Sequence, residues 1–309
     1  MSFSSIAKSE ICRREFNGEC CEMAELSAFM HTAGSIHIMG GAFTLRIETE
    51  NAAVARRAFL LVRRLYGVHA KTEMHTNSLK HNHIYSLLIG ESSARMVALD
   101  TRLIGEDGLS FGTDASFLEN RCCKISFIRG AFLGGGSITN PEKSYHMEFV
   151  CVQKEFAEGL LNIILELGIT AKMIQRNTAF IVYMKEGDPI VTLLTMMGAH
   201  SSILSIENIR IMKSVKNTVN RKVNCETGNL SKTVNASLKQ QESIEYIRIH
   251  MGLDKLTRNL REVAEARINN PEATLEELAA SLGAVSKSGI NHKLRKINSI
   301  ADQLKITRG

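Results

Sequence analysis

Hydrophobic and polar positions change their period several times along the chain, and the changes recur. The run L-S-A-F-M-H-T-A-G-S-I, from Leu26 to Ile36, is an apolar, helix-compatible stretch that ends in Gly-Ser-Ile. The run I-R-G-A-F-L-G-G-G-S-I, from Ile128 to Ile138, repeats it, and Gly34 and Gly136 stand 102 residues apart. Each run predicts a helix that stops at glycine and leads into a strand. After the first come strand-like Ala42–Thr49, helix-like Ala52–Tyr66, and strand-like Ala70–Met74 and Tyr85–Ile89. After the second come His146–Val152, Lys154–Leu167, Ala171–Ile174 and Phe180–Met184 in the same order, with Leu193–Met197 as a closing helix. The pattern predicts two α-β-β-α-β-β-like units, about 20–115 and 122–206, in one pseudo-symmetric α+β domain over 1–206. Repeats of that length are too long for a solenoid.

From Glu207 the character changes. Between Asn217 and Thr233 the chain is polar, with apolar residues too sparse for a core helix. A linker over 207–243, helical in part, is expected, exposing Arg221, Lys222 and Lys232; it serves either as a solvated connection or as a DNA-contacting tether. Beyond it, a helical domain is expected over 244–309. Leu256, Leu260, Val263 and Ala264 share one face of a first helix, which Pro271 stops. Thr274 then caps a second helix, with Glu277 at the third helical position, the spacing of a capping box. Leu275, Leu278, Ala279 and Leu282 form its buried stripe, and Gly283 ends it. A third helix starts after Ser286, with Val285 and Ile290 spaced as a hydrophobic staple. Ile290, Leu294, Ile297, Ala301 and Leu304 line its inner face.

Charge sharpens this division. The 309 residues carry a net +6, but residues 207–309 hold 18 Lys/Arg against 11 Asp/Glu, a net +7, while the remainder is close to neutral. A basic C-terminal third suits a polyanionic partner. No 18-residue apolar run exists and Met1–Arg14 lacks a signal-peptide layout, so the expectation is a cytoplasmic protein without a membrane partner. The seven cysteines include two vicinal pairs but no C-x-x-C, and neither they nor the ten histidines show zinc-type spacing. His81 and His83 flank Asn82 with no nearby Cys or carboxylate. No metal and no cofactor is expected.

Two short helices joined through Gly283-Ala284-Val285 after a supporting helix predict a helix-turn-helix. In that motif the second helix enters the major groove and its N-terminal residues meet base edges. Here its outward residues are Lys287, Ser288, Asn291, His292, Arg295 and Lys296, with no carboxylate until Asp302. Asn and Arg can make bidentate contacts to adenine and guanine, and Lys can reach guanine or phosphate. If Ala279 and Gly283 are the motif's alanine and turn glycine, the apolar positions of the second helix fall one residue late, which suggests a turn one residue longer than the compact form.

The repeated runs resemble the LAGLIDADG motif of homing endonucleases. The resemblance implies two helices packed at the centre of a pseudo-dimer, with Ala28, Thr32, Ala33, Gly130, Ala131, Gly134 and Gly135 permitting close approach. Two-metal phosphodiester cleavage needs carboxylates, and that family supplies one from the penultimate position of each motif. Those positions here hold Ala33 and Gly135, so the scaffold is expected to be without catalytic residues. Gly134-Gly135-Gly136 lacks the Gly-Lys-Ser/Thr of a phosphate loop.

Longer strings extend the likeness. The opening Met1-Ser2-Phe3-Ser4 with Lys8 and Glu10, RGAFLGGGSITNPEKSYHME over Arg129–Glu148, VNCETGNLSKTVNA over Val223–Ala236, and Leu275–Leu304 are similar to the WhiA family of bacterial regulators. That resemblance implies a degenerate LAGLIDADG-like αββαββα repeat domain followed by an all-α helix-turn-helix domain. It also implies sequence-specific binding to double-stranded DNA, in sporulation transcription in actinomycetes or in cell division and chromosome segregation in Firmicutes. A protein partner for the N-terminal domain stays open. The competing readings are an active homing-type endonuclease, against which Ala33 and Gly135 speak, and an RNA-binding or splicing cofactor. A helix-turn-helix suits B-form major grooves better than deep RNA grooves.

Overall fold

The computed structural model describes residues 2–77, 82–105, 108–110, 112–283 and 286–308. They divide into two compact units, residues 1–212 and 213–309.

The first unit opens with α1 (Phe3–Ile11), capped by the Ser2 hydroxyl, which accepts from Ser5 N at 3.1 Å. The first repeat follows as α2 (Glu19–Ala33), β1 (Gly34–Met39), β2 (Ala42–Thr49), α3 (Ala52–Tyr66), β3 (Lys71–Asn77), β4 (Asn82–Ile89) and α4 (Glu91–Asp100). A short ribbon, β5 (Ile104–Gly105) with β6 (Gly108–Leu109), and a 3-10 turn at Ala115–Phe117 lead to the second repeat. That repeat is α5 (Arg121–Gly135), β7 (Gly136–Ile138), β8 (Met147–Cys151), α6 (Lys154–Glu166), β9 (Lys172–Arg176), β10 (Ala179–Met184) and α7 (Gly187–Met197). Both repeats therefore run αββαββα. The closing helix α4 was not read from the sequence, because Glu91-Ser92-Ser93 gives it no apolar start.

Each repeat folds its strands into a four-stranded antiparallel sheet, ordered β1-β2-β4-β3 and β7-β8-β10-β9. The 102-residue offset persists in the register. Gly34 pairs Ile47 and Ser35 pairs Arg46, as Gly136 pairs Phe149 and Ser137 pairs Glu148. A one-residue slip would turn every side chain to the other face, so this agreement fixes two equivalent sheets. The core lies around α2 and α5, where Leu26, Ala28, Phe29 and Met30 meet Phe127, Ile128, Ala131 and Phe132, all almost wholly buried. Helices buried on nearly every side need apolar residues all round rather than one stripe.

The segment over 207–243 is helical throughout rather than in part. It lies within α8 (His200–His250), a continuous 51-residue helix. Val215, Val219, Val223, Leu230 and Val234 on it are exposed, so its backbone hydrogen bonds and helix-tolerant residues hold it rather than a core. Glu10 caps its start. The carboxylate accepts from Ser202 N at 3.0 Å and Ser202 Oγ at 2.9 Å, and from Ser201 N. Burial raises the Glu10 pKa, but these N–H and O–H donors outweigh it and hold the group below its ordinary value.

The second unit contains the C-terminal part of α8, a 3-10 turn at Leu253–Lys255, α9 (Arg258–Asn269), α10 (Leu275–Ser281) and α11 (Lys287–Arg308). Its core joins Ile244 and Ile247 with Leu260, Val263, Leu278, Ile290, Leu294, Ile297 and Ala301. Leu256, expected on the first helix of this domain, lies just before α9 and enters the core from the turn.

Candidate nucleic-acid interface

The local rules that build α10 and α11 are visible atom by atom. Thr274 N donates to Glu277 Oε2 at 2.7 Å, and Glu277 N donates to Thr274 Oγ1 at 3.3 Å, a reciprocal capping box. The Thr274 donors hold the Glu277 carboxyl below its ordinary pKa. Two otherwise unpaired N–H groups are thereby satisfied. Gly283 closes α10 at φ 62°, a left-handed position that favours glycine. Residues 282–286 separate the two helices. The expected contact of Val285 with Ile290 lies outside the described residues. Ser286 Oγ accepts from Gly289 N at 3.2 Å at the entry to α11.

Four inward residues orient α11. Ile290, Leu294, Ile297 and Ala301 are fully buried, and Leu304 is partly buried. Their spacing leaves Lys287, Ser288, His292, Arg295 and Lys296 exposed, with Asn291 half-buried. Lys287 Nζ lies 2.8 Å from Glu276 Oε1 of α10, so this ammonium has a local counter-charge from the neighbouring helix.

Thr274, Lys287 and Asn291 line one groove of about 330 Å³ together with Lys232 of α8. Arg221 and Lys222 are exposed farther up α8 and do not line it. Eleven residues separate Arg221 from Lys232, three helical turns, so they share one face about 16 Å apart.

The sequence reading missed the residues that set the groove's floor. Arg267 is buried on α9; its Nη1 donates to Ala273 O at 2.7 Å and also reaches Pro271 O. Ser237 Oγ donates to Pro271 O at 2.5 Å. Together they fix the turn that presents Thr274. The signal was present, because Leu260, Val263, Ala264 and Arg267 follow one i, i+3, i+4, i+7 stripe. Burial lowers the Arg267 pKa.

In the first unit, Ala33 and Gly135 end α2 and α5. The helices meet there through small groups. A Cβ on Gly134 would stand within 2.0 Å of Thr32 Oγ1, and one on Gly135 within 2.6 Å of Val150 O. Farther up, a Cβ on Gly130 would fall 2.0 Å from Glu25 O. At the carbonyl end of α5, Lys8 Nζ donates to Leu133 O at 3.0 Å. Burial pulls the Lys8 pKa down to about 8. His83 lies exposed on β4, whereas His81 falls outside the described residues.

Three family models match in succession: the WhiA N-terminal LAGLIDADG-like domain over residues 19–104, the WhiA LAGLIDADG-like domain over 124–216, and the WhiA C-terminal HTH domain over 219–301. The chain belongs to the WhiA family. The two LAGLIDADG-like matches fall on the two repeats, and the WhiA HTH match begins inside α8. The chain is 47% identical to a "Probable cell division protein WhiA" of Clostridium beijerinckii, covering 100% of both chains. It is 46% identical to one of Clostridium botulinum, with 99% of each covered, and 44% identical to one of Alkaliphilus oremlandii, with 98% of each covered. It also matches the crystal structure of full-length DUF199/WhiA from Thermatoga maritima, at a TM-score of 0.58 and 26% identity over 98% of this chain and 99% of that one. The fold is thus the LAGLIDADG-like WhiA domain pair followed by a helical HTH region. Among the described residues, no helix is long and apolar enough to cross a membrane.

Proposed function

We propose that this WhiA-family chain is a sequence-specific double-stranded DNA-binding regulator of transcription, acting in cell division and chromosome segregation or in sporulation, on a LAGLIDADG-like scaffold that does not cleave. The observation that carries the reading is the outer face of α11. Four buried residues fix the helix, and Ser288, His292, Arg295 and Lys296 face outward. Asn291 and Arg295, four residues apart on one face, read bases, because Asn and Arg offer bidentate donor patterns. Lys287, Ser288, His292, Lys296 and Thr274 position the helix against backbone and base edges. Arg221, Lys222 and Lys232 contact phosphate. Catalytic inactivity is supported by Ala33 and Gly135, neither of which can ligate a divalent ion. The protein acts in the cytoplasm, on the nucleoid, without a cofactor in DNA recognition.

The test measures target and scrambled duplexes at several salt concentrations with the full chain, Arg295→Ala, and Arg221→Ala/Lys222→Ala. Arg295→Ala should cost roughly 1–3 kcal/mol on the target and little on scrambled DNA. The double variant should lower affinity evenly and flatten the salt dependence. Equal losses on both duplexes for Arg295→Ala would remove it from base reading. Metal-dependent nicking with Mg²⁺ or Mn²⁺, abolished by a mutation in the first unit, would restore the endonuclease reading. Preference for RNA in competition would favour the RNA-binding one.

A further inference from the structure

The two vicinal cysteine pairs lie at the same end of the central helix pair, and three of their four sulfurs meet in space. Cys20 and Cys21 occupy the second and third positions of α2, and Cys122 and Cys123 occupy those of α5. They are related by the same 102-residue offset as the rest of the repeat. Cys21 Sγ and Cys123 Sγ lie 3.9 Å apart across the helix pair. The sulfurs of Cys20, Cys21 and Cys123 all fall within 4.8 Å of one another. Cys122, exposed and next to Cys123 at the start of α5, lies outside this group of three and is the nearest further thiol in the chain to it. Cys21 and Cys123 are buried, whereas Cys20 and Cys122 are exposed.

We propose that Cys20, Cys21, Cys122 and Cys123 bind one soft divalent metal ion of the zinc class, clamping the N-terminal ends of the two central helices. Three observations converge on it. The spacing is right for the buried pair, because tetrahedral Zn–S bonds of about 2.3 Å place sulfurs about 3.8 Å apart, close to the 3.9 Å between Cys21 and Cys123. The donor set is right, because thiolates alone select soft ions and leave Mg²⁺ and Ca²⁺ without oxygen ligands. The electrostatic setting also helps. Two helix N-termini converge on the sulfurs, and their unpaired N–H ends favour negative charge.

Without an ion the cluster is self-limiting. Four thiolates do not coexist at this separation without a cation between them. Coordination changes that balance, since each ligating thiol releases its proton to solvent and the ion carries the compensating charge. Of the charged side chains in the first turns, Glu22 is held by Arg64 at 2.8 Å and Lys124 by Glu166 at 2.7 Å. Glu19 and Arg121, one on each helix, oppose each other in sign. The metal is therefore the dominant local charge.

The site lies at the opposite end of the helix pair from Ala33 and Gly135, and its role is structural. It joins two segments about a hundred residues apart in sequence, which ties metal binding to the stability of the repeat unit. The proposal does not depend on DNA recognition.

The experiment uses the full chain, isolated with reductant and stripped of metal. Cobalt(II) is titrated in first, because tetrahedral thiolate sites give an intense sulfur-to-metal charge-transfer band and strong d–d bands. The expected result is saturation at one Co²⁺ per chain, displacement by Zn²⁺, and a raised thermal midpoint. Cys20→Ser with Cys122→Ser alters only the exposed pair and leaves the buried sulfurs in the core. It should abolish the tetrathiolate spectrum and weaken Zn²⁺ by at least about a hundredfold, more than a lost supporting group costs. Circular dichroism confirms its fold, and Cys122→Ser alone serves if the double variant is unstable. Cys225→Ser should leave stoichiometry and spectrum unchanged. Absence of a thiolate band at stoichiometric Co²⁺ would overturn the proposal. So would a spectrum that survives both exposed-cysteine variants, or thiol labelling that finds Cys21 and Cys123 joined as a disulfide in the protein as isolated.

Discussion

The paired helices of the repeat unit and those of the C-terminal unit start from similar material and end in opposite states. In α2 the residues from Ala24 to Met30 are all buried, and in α5 those from Ser126 to Leu133 are buried as well. Both helices are spent on the core, including charged groups. Glu25 accepts from Arg57 Nε at 2.7 Å and Arg57 Nη2 at 2.9 Å, and from Arg129 Nη1 at 3.2 Å, all away from solvent. Among the described residues of α11 only Ile290, Leu294, Ile297 and Ala301 are buried, and the exposed face from Lys287 to Lys296 is polar. A helix buried all round holds a fold together and offers little to a ligand. A helix anchored along one stripe keeps a whole face for recognition. The glycines agree with this division, since Gly130, Gly134 and Gly135 bring two backbones together, whereas Gly283 turns the chain between two helices.

The comparison breaks most visibly at Glu25. Glu25→Gln leaves Arg57 and Arg129 buried without their counter-charge and should cost roughly 3–5 kcal/mol in urea unfolding of the repeat unit. Unfolding of the C-terminal unit in the same chain should be untouched. A cost under about 1 kcal/mol would show that water reaches the cluster and that α2 is not the sealed helix described above.

Acid should expose the same contrast. His31 stacks on Phe156 at 5.1 Å between ring centroids, and burial pulls its pKa down to about 4, partly offset by hydrogen bonds to the backbone of Arg102 and Thr101. The unfolded chain takes up this proton near pH 6.5, while the folded chain does so only near pH 4. Stability is therefore unaffected above pH 6.5 and lost as pH falls toward 4, by up to about 3 kcal/mol. Unfolding midpoints of the wild type and His31→Gln across that window should diverge toward acid. Parallel curves would mean that the imidazole is solvated.

Restoring the family's acids tests the close approach itself. Ala33→Asp with Gly135→Asp should destabilise the repeat unit by about 2–3 kcal/mol, because Val150 O and Thr32 already occupy the space beside Gly135. No cleavage with Mg²⁺ is expected. A stable variant that nicks DNA would mean that the helix ends can separate. The smallest effect belongs to the reader helices. Thr274→Ala removes one half of the capping box and should lower the stability of the C-terminal unit by about 1 kcal/mol. If its thermal midpoint does not move, the box is a consequence of the fold rather than a support for α10.

The sequence by itself determined whatever rests on near neighbours. The strand and helix order of each half apart from α4, the Thr274–Glu277 cap and the inward stripe of α11 follow from spacings of a few residues, which backbone geometry converts directly into faces, and the 102-residue repeat is a likeness between two such local patterns. Residues 207–243 were read as only partly helical because sparse apolar residues argue against a core helix. A solvated helix needs no core, and no proline interrupts His200–His250. Tertiary structure alone decided which distant groups meet. No local spacing announces that Glu25 lies between Arg57 and Arg129, that Glu10 caps a helix beginning at His200, or that two Cys-Cys pairs converge. Each depends on how α2 and α5 pack, and that packing is set by the missing side chains of Gly130 and Gly134 acting across a hundred residues of intervening chain.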